Sequence, residues 1–187
     1  MAVERRDNHQ PGNGKAGTRE ARREASLVQT KVSAEQALKL CKAFQRLTDE
    51  QLRAIAALCS REVREAGDTF FRAGDNAGHL YVLEEGRVAL QMELPMRQLQ
   101  LRKRVTVDIA SKGELFGWSS MVEPYIYTLS AICLQRATVL VVDASRLSTL
   151  LQTDFAMGYE VLSGLMNVVG SRLHDNMQLL VTERSLA

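Results

Sequence analysis

The chain has 187 residues, of which 45% are hydrophobic and 25% charged, a composition typical of a globular protein with one buried core. No apolar run approaches the roughly 18 residues that a membrane-spanning helix needs, so we expect no membrane insertion and no membrane partner. The 24 basic and 22 acidic residues leave a net charge of +2, and residues 1–30 account for that whole surplus. Because the rest of the chain is neutral, its charge does not indicate a nucleic-acid-binding surface.

Residues 1–30 are predicted to form a disordered tail, followed by one domain over residues 31–187 that ends in a C-terminal helix. Up to residue 26, only Met1 and Val3 are apolar residues larger than alanine. Such a segment buries too little surface to offset the entropy lost on ordering. The N-terminus lacks the apolar segment of a secretory signal, and the three cysteines contain no Cys-x-x-Cys pair. We therefore expect a protein of the reducing cytoplasm, without disulfides or a zinc site.

Two short helices are predicted at the start of the domain. Ser33 and Thr48 are each followed three residues later by a glutamine, which is the spacing of a helix-capping box. Apolar residues at helical spacing follow each box. The cysteines are interpreted as buried small apolar side chains, two in these helices and one in a later strand: Cys41, Cys59 and Cys133.

Beyond residue 61 the apolar period shortens to that of β-strands. About eight short runs are separated by turn-forming glycines, a pattern typical of a sandwich or barrel. The runs contain Val63, 69–71, 80–83, 88–90, 105–107 with Ile109, 129–132 and 138–142. After residue 143 the helical period returns, first at 147–151 and then in a long run from Phe155 to about Val181. The predicted order is helices, a β-roll, and helices again.

No catalytic motif accompanies this pattern. Metal-dependent jelly-roll enzymes need clustered histidine and carboxylate ligands. Here His79 is the only histidine in the strand region, and it lies in a turn-like segment where a surface position is typical. The sequence also lacks a His-x-His pair, a nucleophile elbow, a P-loop and a His-Glu-x-x-His helix. We therefore expect no enzyme, no catalytic residue and no metal ligand.

The glycine pattern carries the most specific signal. It consists of two Gly-Asp turns, a tyrosine-containing strand and a Gly-x-x-Phe-Gly element, at residues 67–75, 80–88 and 113–117. Over about residues 38–180 this ordered set resembles the cyclic nucleotide-binding domain family, in its Crp/Fnr-like or protein-kinase-A-regulatory-like form. The resemblance implies an α+β fold, a double-stranded antiparallel β-roll (jelly-roll-like) flanked by N-terminal and C-terminal helices. It also implies that the roll holds a nucleotide and that the C-terminal helices move or pair upon binding.

The phosphate-binding cassette that the resemblance implies is altered in this sequence. The family places a Glu after Phe-Gly to bind the ribose hydroxyl and an Arg nine residues later to bind the cyclic phosphate. Trp118 and Tyr127 occupy these positions here, and the small or hydroxyl residue after the Arg is retained as Thr128. Each charge-assisted contact contributes about 1.5–3 kcal/mol, so losing both should weaken a nucleotide site roughly 100-fold or more. The predicted ligand-binding residues are Phe116, Gly117, Trp118, Ser119, Ser120, Tyr125, Tyr127 and Thr128.

Two questions stay open around this cassette. Ser119 and Ser120 start a predicted short helix, where free N–H groups and hydroxyls either hold an anion or simply cap the turn. Trp118, Tyr125 and Tyr127 either line a pocket for a flat or apolar ligand or fill the space that the nucleotide would occupy. No cofactor is assigned, and the candidate ligands are cAMP, cGMP or another small molecule.

A basic segment interrupts the roll at residues 97–104. Its four positive side chains have no acidic neighbour within the segment: Arg97, Arg102, Lys103 and Arg104. We interpret it as a solvated hairpin, with contact to a partner or an anionic ligand as the alternative.

The final helix has an apolar stripe wider than packing on one roll requires. The resemblance implies a dimer seam along this helix, so we expect a parallel homodimer. The chain ends at Ala187, which leaves no room for the helix-turn-helix of the family's bacterial transcription factors. DNA binding by this chain alone is therefore not expected.

Together these features predict a stand-alone regulatory or sensor domain with a degenerate phosphate cassette. It would bind a cyclic nucleotide weakly, or another small ligand, and signal through its C-terminal helices to a partner protein that the sequence does not identify. The alternative is a ligand-free protein-interaction or dimerisation module on the same fold.

Overall fold

The computed structural model describes residues 34–95 and 102–185, which form a six-stranded antiparallel sheet with helices at both ends. The helices are α1 (34–40), α2 (Asp49–Ala56), α3 (Ala144–Thr153) and α4 (Phe155–Ser185). The strands are β1 (Cys59–Arg64), β2 (Thr69–Phe71), β3 (His79–Pro95), β4 (Arg102–Ala110), β5 (Leu115–Phe116) and β6 (Ser130–Asp143). A short 3₁₀ helix covers Trp118–Met121. The predicted tail, the Ser33 capping box and residues 97–101 of the basic segment lie outside the described residues.

The N-terminal segment changes from helix to turns while keeping one apolar face. Helix α1 ends at residue 40, earlier than the apolar spacing predicts. Backbone N–H groups of Cys41, Phe44 and Leu47 then each donate to the carbonyl three residues earlier. Side chains three residues apart therefore point the same way, and those of Leu38, Cys41, Phe44 and Leu47 are all buried. The capping box at Thr48 is confirmed, since its side chain accepts from the Gln51 N–H and the Gln51 side chain accepts from the Thr48 N–H.

The sheet has the order β1-β6-β3-β4, with β2 paired to β6 and β5 paired to β3. The described residues form six strands instead of about eight, because 80–83 and 88–90 both belong to β3, 105–107 and Ile109 to β4, and 129–132 and 138–142 almost wholly to β6, while β5 was not among the predicted runs. Gly86 bends β3 without ending it, at a φ of 95°. A Cβ there would lie 2.4 Å from the Arg136 carbonyl oxygen on β6, so only glycine allows this close approach.

Two buried clusters form the core. One lies between the helices and one face of the sheet and includes Leu38, Phe44 and Leu147. The other fills the roll and is rich in aromatic rings, including Tyr81 and Phe116, whose rings stack with centroids 5.0 Å apart. The predicted site therefore lies against the aromatic half of the core.

Aspartates begin both C-terminal helices. The Asp143 side chain accepts a hydrogen bond from the Arg146 N–H at the start of α3. Asp154 separates α3 from α4, and its two carboxylate oxygens accept from the Met157 N–H and from the Gln51 side-chain amide. Hydrogen bonds from these two donors lower the pKa of Asp154 below its usual range. The α3–α4 junction is thereby tied to the capping box of α2.

Glycines let α4 pack closely on its neighbours. A Cβ at Gly164 would lie 2.3 Å from the Ala43 carbonyl oxygen, and one at Gly158 would lie 2.9 Å from the Leu151 carbonyl oxygen. A Cβ at Gly170 would have no other atom within 4 Å. Despite its length, α4 is not apolar enough to cross a membrane, and the same holds for the other helices in the described residues.

Gly164→Ala and Gly170→Ala form a matched pair on one helix. Gly164→Ala should lower the free energy of unfolding by about 1–3 kcal/mol because α4 must move away from Ala43. Gly170→Ala should raise it by up to about 1 kcal/mol through helix propensity alone. Thermal unfolding followed by circular dichroism measures both. Equal melting temperatures for the two variants would contradict the close packing of α4.

Candidate functional site

The candidate site begins where β5 ends. Gly117 adopts a φ of 80° and turns the chain into the 3₁₀ helix Trp118–Met121. A Cβ on Gly117 would lie 3.1 Å from both the His79 carbonyl oxygen and a ring carbon of Tyr81. Any other residue here would be strained by the left-handed backbone conformation, and its Cβ would also be crowded by β3. The predicted short helix thus starts at a glycine that packs closely against the first residues of β3.

Tyr127 closes the other side of this site. Its ring stacks on Phe71 with centroids 3.7 Å apart and planes 11° from parallel. Its hydroxyl donates to the His79 carbonyl oxygen over 2.7 Å and accepts from the His79 N–H over 3.2 Å. Burial raises the pKa of Tyr127 above its ordinary value, so the hydroxyl is a neutral donor at physiological pH. With only 4% of its surface exposed, Tyr127 is part of the core.

Five of the predicted residues line one small cavity: Gly117, Trp118, Ser119, Tyr127 and Thr128. Its volume is about 20 Å³, room for about one water molecule. Pockets that hold organic ligands usually measure about 300–1,000 Å³. In the described conformation, the space between β2, β3 and the 3₁₀ helix is therefore filled by side chains.

The other predicted residues lie elsewhere. Phe116 is fully buried in the aromatic core against Tyr81 and Phe70. Ser120 and Tyr125 line a separate, larger cavity beside the 3₁₀ helix. The three aromatics of the cassette are thus not gathered into one pocket, because Tyr127 is buried, Trp118 is half-buried and Tyr125 is half exposed.

Arg172 of α4 is the contact that the sequence analysis missed. Its guanidinium lies 4.8 Å from the centre of the Trp118 ring, a cation–π geometry. The same group is 3.0 Å from an Asp108 carboxylate oxygen and donates to the Leu115 carbonyl oxygen over 2.9 Å. Only 12% of the Arg172 side chain is exposed. A sequence signal existed, since Arg172 is the only Lys or Arg between Arg146 and Arg184.

His79 and the cysteines contribute to the fold and not to a reactive site. His79 is the first residue of β3 rather than part of a turn, and its backbone anchors the Tyr127 hydroxyl. Cys59 begins β1 and is not helical, which corrects its predicted position. Burial raises the pKa of the Cys41 thiol to about 11, so this thiol stays protonated and unreactive. Residues 34–95 and 102–185 contain no group of three or more His, Cys, Asp or Glu side chains that could hold a metal ion.

Tyr127→Phe tests the hydroxyl that closes the site. Removing it leaves the His79 N–H and carbonyl without their partner, so the free energy of unfolding should fall by about 1–3 kcal/mol. Tyr125→Phe, at the half-exposed tyrosine, should stay within about 0.5 kcal/mol of the parent. Urea unfolding of the three proteins makes the comparison. A Tyr127→Phe protein as stable as the parent would show that the hydroxyl does not hold the site closed.

Comparison with known proteins gives the same family at the level of sequence and fold. The model of the cyclic nucleotide-binding domain matches residues 61–154, half of the chain. A Geobacter metallireducens GS-15 crystal structure, described as a cyclic nucleotide-binding protein, is 29% identical with a TM-score of 0.63. The alignment covers 75% of this chain and 98% of that one. No curated protein matches the sequence.

Two further structures share the fold at lower identity. A cyclic nucleotide-binding domain from Methylobacillus flagellatus KT is 16% identical with a TM-score of 0.70, over 83% of this chain and 84% of that one. The regulatory domain of Toxoplasma gondii PKA, crystallised with cAMP, is 15% identical with a TM-score of 0.55. That alignment covers 64% of this chain and 43% of the other. Both likenesses concern the fold alone.

Proposed function

Because the chain belongs to the cyclic nucleotide-binding domain family, we propose that it is a regulatory sensor with a degenerate phosphate cassette. It binds cAMP or cGMP only weakly, or takes another small ligand, and it signals through α3 and α4. The observation that carries this proposal is the burial of Tyr127 at the position where the family has its phosphate-binding arginine. All three cysteines are free, which suits the cytoplasmic location that we propose for it.

The chemistry of the cassette supports weak nucleotide binding. An arginine meets a phosphate with a full charge and two parallel donors, whereas Tyr127 offers one neutral hydroxyl that already donates to His79. Trp118 cannot accept a hydrogen bond from a ribose hydroxyl, because its side chain carries only a donor. A nucleotide would also have to displace the Tyr127 ring from Phe71 to enlarge a cavity of about 20 Å³. Each of these requirements lowers affinity.

The surroundings of Arg172 support signalling through α4. This one side chain joins α4 to the end of β4 at Asp108, to β5 at Leu115 and to the 3₁₀ helix at Trp118. A Cβ on Gly117 would lie 3.4 Å from a ring carbon of Tyr127, so this ring lies beside the glycine, and we propose that a ligand that displaces the ring also shifts Gly117. Trp118 follows Gly117 directly, so the displacement reaches Arg172 and α4. Ligand entry and helix position are thereby linked.

The exposed face of α4 favours a second candidate function, a dimerisation module that needs no ligand. Large apolar side chains recur on this helix at spacings of three, four or seven residues. At 3.6 residues per turn they share one face. All are exposed: Phe155, Tyr159, Leu162, Met166, Leu173, Met177 and Val181. We propose that this stripe pairs with the same stripe of a second copy, in parallel, as in a coiled coil.

Restoring the family residues should restore nucleotide binding. The double variant Trp118→Glu, Tyr127→Arg should bind cAMP about 100-fold more tightly than the parent, since it regains two charge-assisted contacts. Isothermal titration calorimetry of both proteins at the same ionic strength measures the ratio. Trp118→Glu combined with Tyr125→Arg carries the same added charges but places the arginine outside the small cavity, so it should gain little.

The gain in cAMP affinity should depend on placing the arginine at residue 127. Circular dichroism first establishes that both double variants are folded, since each loses two aromatic side chains. Equal cAMP affinities for a folded Tyr127→Arg variant and the parent would show that the phosphate site is misplaced. An equal gain in the Tyr125→Arg control would indicate unspecific attraction of the phosphate.

Leu173→Glu tests the dimer. A charge in the middle of the exposed stripe should convert a dimer into a monomer, because it would be buried without a partner in the seam. Size-exclusion chromatography with light scattering measures the mass. Asn167→Glu adds the same charge to an exposed position off the stripe and should leave the dimer intact. A monomeric parent protein at tens of micromolar, or a dimeric Leu173→Glu variant, would contradict this seam.

A further inference from the structure

A second cavity lies beside the same 3₁₀ helix as the small cassette cavity. Trp118 and Ser119 line the cassette cavity, whereas Ser120 and Met121 of the same helix line the second one. The second cavity has a volume of about 550 Å³, within the usual range for sites of organic ligands. It extends from the start of β3 to the first turn of α3, so two rigid elements form its walls.

Ser120, in the wall of this cavity, has a hydroxyl that is covered in the described conformation and that no described protein atom satisfies. The residue is 4% exposed, and its hydroxyl oxygen has no hydrogen-bond partner among the described residues. Buried hydroxyls are nearly always paired, and an unpaired one calls for a missing partner such as a ligand or ordered water. The next residue along the helix, Met121, adds an apolar surface to the same wall.

The charge of the cavity comes from Asp143. Among the described residues that line it, Asp143 is the only acidic side chain, and none is a lysine or an arginine. One of its carboxylate oxygens accepts from the Arg146 N–H and the Ser145 hydroxyl, and these contacts lower the pKa of the group. The carboxylate is therefore ionised at neutral pH and already occupies the N-terminus of α3. An anionic ligand would be repelled here, while a cation would be attracted.

The remaining lining is mostly small, apolar or aromatic. Tyr125 stands half exposed in the wall, where its ring can lie against an apolar or cationic group. Ala77 and Met121 are apolar, and His79 is the cross-strand partner of Asp143. We propose that this cavity binds a small organic cation, an amine with an apolar or aromatic body, whose ammonium group pairs with Asp143 and whose polar end bonds Ser120 once the serine side chain turns toward the cavity. The site is separate from the cassette and does not depend on nucleotide binding.

Three probes with the same phenol ring but different charges separate the effect of ligand charge from that of ligand shape. Tyramine is the cation, tyrosol is its neutral analogue and 4-hydroxyphenylacetate is its anionic analogue. Titrations at pH 8 are followed through backbone amide shifts in two-dimensional NMR spectra of the full chain. Tyramine should shift the amides of residues 77–79, 120–121 and 143–148 and bind about tenfold more tightly than tyrosol, the gain expected of one charge-assisted contact. The anion should bind most weakly.

Two variants and one control then locate the site. Ser120→Ala should weaken tyramine binding about three- to tenfold, and Asp143→Asn should remove the preference for tyramine over tyrosol. Asparagine also caps helices, so the second variant should keep α3 intact. Ser119→Ala removes a hydroxyl that lines the cassette cavity instead and should leave binding unchanged. Tyramine shifts elsewhere in the protein, no preference over the anion, or full binding in both folded variants would overturn the proposal.

Discussion

The packing of Tyr127 is the contact on which the candidate site depends. Its ring stacks on Phe71, and its hydroxyl bonds both backbone groups of His79, so one side chain joins the loop before β6 to β2 and to β3. A charged arginine would be less stable than Tyr127 in this space without a bound anion, because burying an unpaired charge costs free energy. In the closed conformation, the roll is stable as an aromatic core rather than as an empty nucleotide site.

This packing also places the short helix on which the rest of the site is built. Gly117 is held between His79, Tyr81 and Tyr127, which fixes the start of the 3₁₀ helix and therefore the direction of Trp118. Trp118 in turn supports the guanidinium of Arg172 on α4. Trp118 therefore connects the small cassette cavity, which it lines, with the C-terminal helix.

The sequence predicted those features that depend on local periodicity. The Thr48 capping box, the strand-rich middle and the two C-terminal helices follow from spacing and turn residues. The strand count was too high because a glycine such as Gly86 can mark a close approach between strands as well as a turn. Within the site, the spacing predicted that residues 116–128 lie close together. It did not predict that Ser120 and Tyr125 line a different cavity from the others. The isolation of Arg172 among uncharged and acidic residues marked it in the sequence, but its partners lie far away in the chain and follow only from tertiary packing.

Tryptophan fluorescence tests the closed cassette most directly. Trp118 is the only tryptophan in the chain, and it lies in the wall of the small cavity beneath Arg172. If Tyr127 closes that cavity, cAMP should leave the emission unchanged at low micromolar concentrations and alter it only at about 0.1 mM or above. A saturating change in emission at about 1 μM cAMP would contradict the closure and show that the cassette binds the nucleotide without the two family residues.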